Sequence, residues 1–275
     1  MRDRRCRGNV WHIPYKTVQA GKEHPAGFPV ELAENCIRLH GSAGLVLDPF
    51  LGSGTTLIES QALGRHGIGG ELQPEVAQQT RQRLERSDNP EQVQSLVCLG
   101  DSRHQDWCSA LAKASGGKRK QAQLLILHPP YHDIIRFSSH QSCLSNCGGL
   151  ENFLEQFQQV CENALKALQP GRHVALIIGD KYSGSEWIPL GFQCMQVLQN
   201  LGCSLKSIVV KNFESTLAKR QTHELWRYRA LVGGFYVFKH EYVFVLQKEG
   251  RRGKTNCVSS IESPAKNKRD ARRDH

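Results

Sequence analysis

The sequence predicts an α/β fold in which helices cover both faces of a doubly wound, mostly parallel sheet. Short segments rich in Val, Leu and Ile alternate with helical patterns, which is typical of parallel strands joined by crossover helices. A glycine-rich turn between the first of these strands and the next helix favours a Rossmann-like sheet. At 275 residues the chain can bury one core, so residues 1–249 are predicted to form a single domain.

The individual elements follow from hydrophobic periodicity and from the residues that end each segment. Strands are predicted at 44–50, 66–71, 95–101, 123–128, 172–180, 204–212 and 241–248. Helices are predicted at 55–65, 74–86, about 150–168 and 188–202, and a surface loop at 113–121.

The net charge of +10 is concentrated at the two ends of the chain. Residues 250–275 carry eight Lys/Arg against three acids, and residues 1–7 carry four Arg against one acid. The tail 250–275 is predicted to be disordered. Basic arms of this kind suit contacts with nucleic-acid phosphates, although a charged tail can also be merely solvated.

Composition also indicates the cellular environment in which the protein is expected. The ten cysteines are scattered through apolar segments, where a free thiol packs as a small hydrophobic group, so we expect them to be reduced. There is no apolar run long enough for a membrane span, and the Arg-rich start lacks the apolar stretch of a signal peptide. We therefore expect an intracellular, cytoplasmic protein with no membrane partner.

The turn "DPFLGSGTT" (48–56) predicts a nucleotide-type site. Gly52 and Gly54 let the backbone approach a ligand, and the helix that follows presents free N–H groups. The spacing is neither the dinucleotide fingerprint nor a P-loop. Glu71, at the end of the second strand, is placed to accept both hydroxyls of a ribose, and Asp101 adds a polar group where the base would lie. A surface acid at a strand end is the alternative for Glu71.

Four segments together resemble the motif series of S-adenosylmethionine-dependent DNA amino-methyltransferases. They are "KEHPAGFPVEL" (22–32), "VLDPFLGSGTT" (46–56), "GIGGEL" (67–72) and "HPPY" (128–131). Enzymes of this family modify cytosine N4 or adenine N6, sometimes beside a restriction enzyme. The resemblance implies a sheet of seven strands with the last strand antiparallel, S-adenosylmethionine as cofactor and DNA as substrate.

The resemblance also implies which residues bind and react. Glu71 would hold the ribose. Pro25, Phe28 and Pro29 match the segment that closes over the cofactor in this family. The other cofactor-binding positions are Asp48, Pro49, Phe50, Gly52, Gly54, Thr55 and, by its place in the sheet, Asp101. The catalytic positions are His128, Pro129, Pro130 and Tyr131.

His128 departs from the family pattern, which has Asp, Asn or Ser before the two prolines. The tetrapeptide therefore matches neither the cytosine form nor the adenine form, and the target base stays open.

An aromatic amine is a poor nucleophile because its lone pair is delocalised, and two acceptors for its N–H groups would help to localise it. The resemblance assigns these to the side chain of residue 128 and the carbonyl of Pro129, with Tyr131 stacking on a flipped base. A neutral imidazole can accept a hydrogen bond and an imidazolium cannot. A decayed site is the alternative.

Two segments are predicted to contact the target, 132–149 and 210–242. The first carries Arg136 and Ser138 beside the target pocket. Its His132, His140, Cys143 and Cys147 could instead suggest zinc, but no second regularly spaced pair accompanies them, and we predict no metal. The second mixes basic and aromatic residues, which suits phosphate contact and stacking, or an ordinary solvated hairpin. Its predicted phosphate contacts are Lys211, Lys219, Arg220, Arg227 and Arg229.

The sequence thus predicts a DNA amino-methyltransferase. Two alternatives remain: an RNA base methyltransferase of the same fold, and a non-catalytic nucleic-acid-binding module that has lost turnover at His128. The chain has no long inserted target-recognition region, so a short recognised sequence, or a partner that supplies specificity, is expected.

Overall fold

The computed structural model describes residues 8–13, 28–40, 44–118, 120–212, 228, 230–237 and 239–250. The predicted basic tail, apart from Gly250, lies outside the described residues.

Strands and helices alternate along most of the described chain. The strands are β1 (Val10–His12), β2 (Leu45–Asp48), β3 (His66–Glu71), β4 (Ser95–Leu99), β5 (Ala122–Leu127), β6 (Leu168–Ile178), β7 (Lys181–Ser183), β8 (Glu186–Ile188), β9 (Cys203–Asn212) and β10 (His240–Lys248). The helices are α1 (Val30–His40), α2 (Thr55–Ala62), α3 (Pro74–Glu85), α4 (Trp107–Ala114), α5 (Leu150–Ala167) and α6 (Leu190–Asn200).

Among the described residues, eight strands form one sheet in the order β1-β9-β10-β6-β5-β2-β3-β4. β10 is antiparallel to both of its neighbours, β6 and β9, and the other pairs in the sheet are parallel. The α/β class and the antiparallel last strand are therefore confirmed. The predicted number of seven strands is wrong by one, because the short strand β1 pairs with β9 and adds an eighth strand at the edge.

Alternating side chains of the central strands supply two cores, one on each face of the sheet. Leu45, Leu47, Leu125 and Leu127 face the larger core, which α4, α5 and α6 cover. Val46, Leu124 and Ile126 face the other core, which α1 covers. Helix α5 shows the matching periodicity, since Phe153 and Phe157 lie one turn apart and are fully buried.

Several elements differ from the prediction. Helix α4 was not predicted; it begins after Asp106, whose side chain accepts a hydrogen bond from the backbone N–H of Ser109, and it ends inside the segment predicted as a loop. Helix α1 and the small hairpin β7–β8 were not predicted either. Helix α6 begins at Leu190 rather than at Ile188, which belongs to β8. Within the described residues, no helix is both long and apolar enough to cross a membrane.

Candidate active site

The site lies along one edge of the sheet. Parallel strands bring their carboxyl ends together, so the residues that follow β2, β3, β4, β5 and β6 share this edge. β10 runs the opposite way, and therefore its first residues, His240 and Glu241, also lie there. The predicted cofactor turn, the predicted catalytic tetrapeptide and the start of β10 thus lie at the same edge of the sheet.

The glycine turn has the backbone conformation that its sequence predicts. Gly52 and Gly54 have φ values of 52° and 85°, which favour glycine strongly. Gly54 immediately precedes α2, and a Cβ atom built on it would lie 2.5 Å from Cγ2 of Thr80 in α3. A larger residue at position 54 would therefore disturb the packing of the turn on α3, in addition to any effect on a ligand.

Two buried carboxylates hold this turn in place. Oδ1 of Asp48 accepts a hydrogen bond of 2.9 Å from the N–H of Phe50. Oε2 of Glu71 accepts one of 3.0 Å from the N–H of Gly52, and its Oε1 accepts one of 2.8 Å from the N–H of Gln73. Burial raises the pKa of Glu71, while these N–H donors oppose that rise.

The buried Asp48 carboxyl should make stability depend on pH. Burial is the main reason that its pKa rises from 3.8 to about 6. The folded state binds this proton more tightly than the unfolded state does. The stabilisation linked to the proton is therefore complete below about pH 4 and is lost as the pH rises through about 6. We expect Asp48→Asn, which stays neutral and keeps an acceptor oxygen, to raise the free energy of unfolding near pH 7 by at most about 3 kcal/mol.

Urea unfolding of the wild type and of Asp48→Asn, at about pH 4 and about pH 7, checks this prediction. The difference in unfolding free energy between the two proteins should grow as the pH rises. A constant difference would show that the Asp48 carboxyl does not titrate in this range.

The remaining predicted cofactor positions of the turn are also buried or half-buried. The carbonyl of Pro49 accepts a hydrogen bond of 2.7 Å from Ser102 Oγ, which ties the turn to the residues after β4. Phe50 is half-buried and stacks on Phe157, with ring centroids 6.3 Å apart. Oγ1 of Thr55 is buried and has no hydrogen-bond partner among the described residues.

Asp101, expected near the base of the cofactor, is engaged in an ion pair. Its carboxylate accepts hydrogen bonds from Arg103, including one of 2.5 Å from Nη2. Although burial opposes it, these interactions with Arg103 hold the pKa of Asp101 below its ordinary value. Asp101 does lie at the expected edge, but its charge is already compensated.

The predicted catalytic tetrapeptide follows β5 directly. The His128 ring stacks on Phe28, with centroids 4.9 Å apart and an interplanar angle of 29°. Tyr131 meets the His128 ring edge-on, with centroids 5.8 Å apart. Pro129 is buried and Pro130 is half-buried. Phe28, predicted to close over the cofactor, thus packs against the predicted amine acceptor.

Pro29 is buried beside Phe28 and its carbonyl accepts hydrogen bonds from the N–H groups of Leu32 and Ala33 at the start of α1. The segment predicted to close over the cofactor is therefore anchored to a helix at its end. Pro25 lies outside the described residues.

A buried ion pair holds the hydroxyl of Tyr131. Tyr131 Oη donates to Glu241 Oε2 over 2.6 Å, and Lys211 Nζ donates to Glu241 Oε1 over 2.6 Å. Burial and the Glu241 charge raise the pKa of Tyr131 well above its ordinary value, so the phenol stays protonated. Burial opposes ionisation of Glu241, but the charges of Lys211 and His128 hold the pKa of its carboxyl below the ordinary value.

The placement of Lys211 corrects the prediction of a phosphate contact. Its side chain is 3% exposed and pairs with Glu241, so it cannot reach a phosphate on the surface. Arg136, by contrast, is exposed. The other predicted phosphate contacts, Lys219, Arg220, Arg227 and Arg229, lie outside the described residues.

A second buried lysine lies just beyond the tetrapeptide. Lys181 Nζ contacts Asp133 Oδ1 and lies 2.9 Å from His132 Nδ1. His132 adopts a positive φ of 54° and packs edge-on against Phe153. In the described parts of the chain, no group of three or more His, Cys, Asp or Glu side chains is arranged to hold a metal ion.

Glu241 is the site residue that the sequence analysis missed. The sequence contains a signal for it, because Glu241 is the first residue of the predicted last strand, 241–248. Since that strand is antiparallel, its beginning lies at the sheet edge where the parallel strands end. The pairing of Glu241 with Lys211 across β10 and β9 follows from the register of those two strands.

The sheet order, the antiparallel last strand and the glycine turn beside Glu71 define a Rossmann-like methyltransferase fold. A candidate methyltransferase from Bacillus halodurans C-125 has a similar structure, with a TM-score of 0.50 and 13% sequence identity, covering 80% of this chain and 99% of that chain. This likeness concerns the fold.

The sequence comparisons give more specific similarities than the comparison of folds does. Residues 2–82 match the sequence profile of a DNA methylase family. Type II methyltransferase M.SmaI of Serratia marcescens is 42% identical over 86 residues, 30% of this chain and 28% of that protein. Type II methyltransferase M.ScaI of Streptomyces caespitosus is 37% identical over 84 residues, 28% of each chain. The matched region confirms the resemblance to DNA amino-methyltransferases, and it spans under a third of the length of these relatives.

Proposed function

We propose that the chain transfers a methyl group from S-adenosylmethionine to an exocyclic amino group of a DNA base, cytosine N4 or adenine N6. The observation that carries the proposal is the position of His128-Pro129-Pro130-Tyr131, at the carboxyl end of β5 and on the same sheet edge as the glycine turn. The match of residues 2–82 to a DNA methylase family supports it. A role beside a restriction enzyme in the cytoplasm, as the type II relatives suggest, belongs to the same proposal.

The residues of the turn fit S-adenosylmethionine. Because Gly52 and Gly54 have no side chains, the cofactor can approach the backbone of the turn closely. The buried Thr55 hydroxyl has no hydrogen-bond partner among the described residues. The Glu71 carboxylate uses one lone pair on each oxygen for backbone N–H groups, which leaves acceptor capacity for two ribose hydroxyls. Asp48 and Glu71 also place acidic groups near a cofactor whose sulfonium is positive. When bound, the cofactor supplies an electrophilic methyl group.

The tetrapeptide would prepare the amine. The neutral imidazole of His128 and the carbonyl of Pro129 each accept one N–H, which draws the nitrogen towards a tetrahedral shape and localises its lone pair. The proline rings fix the backbone so that these two acceptors converge. Phe28 and Tyr131 hold the His128 ring on two sides, and Tyr131 offers its own ring to the flipped base. Exposed Arg136 is available for a phosphate.

The test is methyl transfer from labelled cofactor to duplex DNA and, separately, to RNA, followed by digestion and identification of the modified base. N4-methylcytosine or N6-methyladenine in DNA is expected. Modification of RNA alone would indicate an RNA methyltransferase of the same fold. Binding of DNA without any turnover would indicate a non-catalytic module.

Cofactor binding can be tested apart from turnover. Glu71→Ala should weaken S-adenosylmethionine binding by about 1–3 kcal/mol, because charge-assisted hydrogen bonds to the ribose are lost. Calorimetric titration gives the affinity, and thermal unfolding confirms that the variant folds. Glu75→Ala is the matched control, since Glu75 is an exposed acid in the first turn of α3. Equal affinities for the two variants would remove Glu71 from the cofactor site.

A further inference from the structure

Helix α3 holds the glycine turn through two side chains. Thr80 Oγ1 donates a hydrogen bond of 2.8 Å to the carbonyl of Gly52. Arg83 Nη1 donates a hydrogen bond to the carbonyl of Ser53. Thr80 and Arg83 are three positions apart, so they lie on the same face of the helix. Two successive carbonyls of the turn are therefore tied to one helix.

These contacts determine which way the peptide group between Gly52 and Ser53 faces. In a trans peptide the C=O and the N–H point in opposite directions. Because the carbonyl of Gly52 points to α3, the N–H of Ser53 points away from that helix. Within the described part of the chain this N–H has no hydrogen-bond partner, whereas the N–H of Gly54 donates to the carbonyl of Leu51 over 3.1 Å. The N–H of Ser53 is therefore available to an acceptor on a ligand.

The contacts with α3 matter because glycine makes the turn easy to rearrange. Gly52 and Gly54 flank Ser53, and glycine adopts positive and negative φ at similar cost. Without contacts from outside the turn, the peptide group between Gly52 and Ser53 could turn over and point its carbonyl away from α3. Thr80 and Arg83 remove that freedom before a ligand binds, and preorganisation of this kind increases affinity.

The packing around Thr80 keeps this part of α3 in a fixed position relative to the turn. Thr80 is fully buried, and its Cγ2 atom lies against Gly54, since a Cβ atom built there would be 2.5 Å away. On the other side of Gly52, its N–H donates to Oε2 of Glu71 over 3.0 Å. Both peptide groups that meet at Gly52 are thus anchored, one by β3 and the other by α3.

We propose that Thr80 and Arg83 are positioning residues of the cofactor site. They hold two carbonyls of the glycine turn on α3, so that the N–H of Ser53 faces the cofactor. The inference rests on the proposed function, because it takes S-adenosylmethionine as the ligand of the turn. It adds to that function two residues outside the turn, both of which act through its backbone.

The experiment is calorimetric titration of S-adenosylmethionine into the wild type and into variants of α3. Thr80→Val replaces the hydroxyl by a methyl group of similar size, so it removes the hydrogen bond and keeps the packing against Gly54. We expect the dissociation constant to rise about three- to tenfold, the factor that corresponds to the loss of one hydrogen bond. Thr80→Ser keeps the hydroxyl and should bind within about twofold of the wild type.

Arg83→Met removes the guanidinium and keeps much of the aliphatic stem, and it should weaken binding by a similar factor. Arg81→Met is the matched control. Arg81 Nη2 also donates from α3 to a backbone carbonyl, over 2.9 Å, but that carbonyl belongs to Val97 in β4. This control should leave the affinity unchanged. Thermal unfolding of each variant confirms that it folds, and should Thr80→Val fail to fold, Arg83→Met tests the same prediction.

Steady-state rates of methyl transfer add a readout that a general loss of stability would not give. KM for the cofactor should rise in Thr80→Val and Arg83→Met, while kcat at saturating cofactor stays near the wild-type value. The reason is that both side chains prepare the turn for binding and take no part in the transfer itself.

Three outcomes would overturn the inference and leave the proposed function intact. They are wild-type affinity in Thr80→Val and Arg83→Met, binding by Thr80→Ser as weak as that by Thr80→Val, and a loss in Arg81→Met equal to that in Arg83→Met. If the wild type itself binds no S-adenosylmethionine, the proposed function fails and the inference fails with it.

Discussion

His128→Ala is expected to reduce the single-turnover rate of methyl transfer by about 100-fold or more. The substitution removes one of the two proposed acceptors for the target amine, and an acceptor that acts in the transition state is worth a factor of this order. It also removes the ring that Phe28 stacks on, so cofactor affinity must be measured in parallel. Rapid-quench measurement with saturating enzyme and cofactor gives the rate of the chemical step.

His128→Asn separates the acceptor from the imidazole. The amide oxygen still accepts a hydrogen bond but does not titrate, so this variant should keep part of the activity and lose the acidic limb of the pH profile. In the wild type the rate should fall as the pH drops through the range in which histidine protonates, ordinarily near about 6.5. Equal acidic limbs in both proteins, or an alanine variant as fast as the wild type, would exclude His128 as the acceptor.

Glu241→Gln is expected to lower the free energy of unfolding by about 3–5 kcal/mol, because it leaves the buried ammonium of Lys211 without its carboxylate. The double variant Glu241→Gln/Lys211→Met should recover most of this loss, since no uncompensated charge remains. Urea unfolding of the three proteins at one pH measures both effects.

The matched control for this stability effect is Glu34→Gln. Glu34 pairs with Arg38 over 2.8 Å on α1, but Arg38 is exposed and Glu34 is half-buried, and ion pairs open to solvent contribute about 1 kcal/mol or less. Similar losses for Glu34→Gln and Glu241→Gln would mean that the Lys211–Glu241 pair is not desolvated.

Local patterns were sufficient to predict the elements that position the glycine turn. Strand β2, the turn with Gly52 and Gly54, and strand β3 ending at Glu71 all lie where the sequence places them, because each depends on neighbouring residues. The short edge strand β1 could not be predicted in the same way. It is three residues long and exists through its pairing with β9, about 200 residues further along the chain.

The surroundings of the predicted catalytic tetrapeptide were likewise predicted only in part. The position of His128 after a buried strand follows from the sequence, whereas the partner of Tyr131, 110 residues away, does not. Lys211 illustrates the limit most clearly. In the sequence it is one basic residue in a basic and aromatic segment, and only the register of β9 with β10 turns it inwards onto Glu241.

The position of β10 in the sheet has a consequence for the synthesis of the protein. β10 is the last strand among the described residues, yet it lies between β6 and β9, so the sheet cannot be completed until residues up to Lys248 have left the ribosome. Contacts between residues so far apart form late and slowly in folding. A nascent chain that ends before His240 would already contain the glycine turn and the tetrapeptide, but Tyr131 would lack its carboxylate. The growing polypeptide would therefore acquire an ordered pocket around Tyr131 only after residues up to Lys248 have been made.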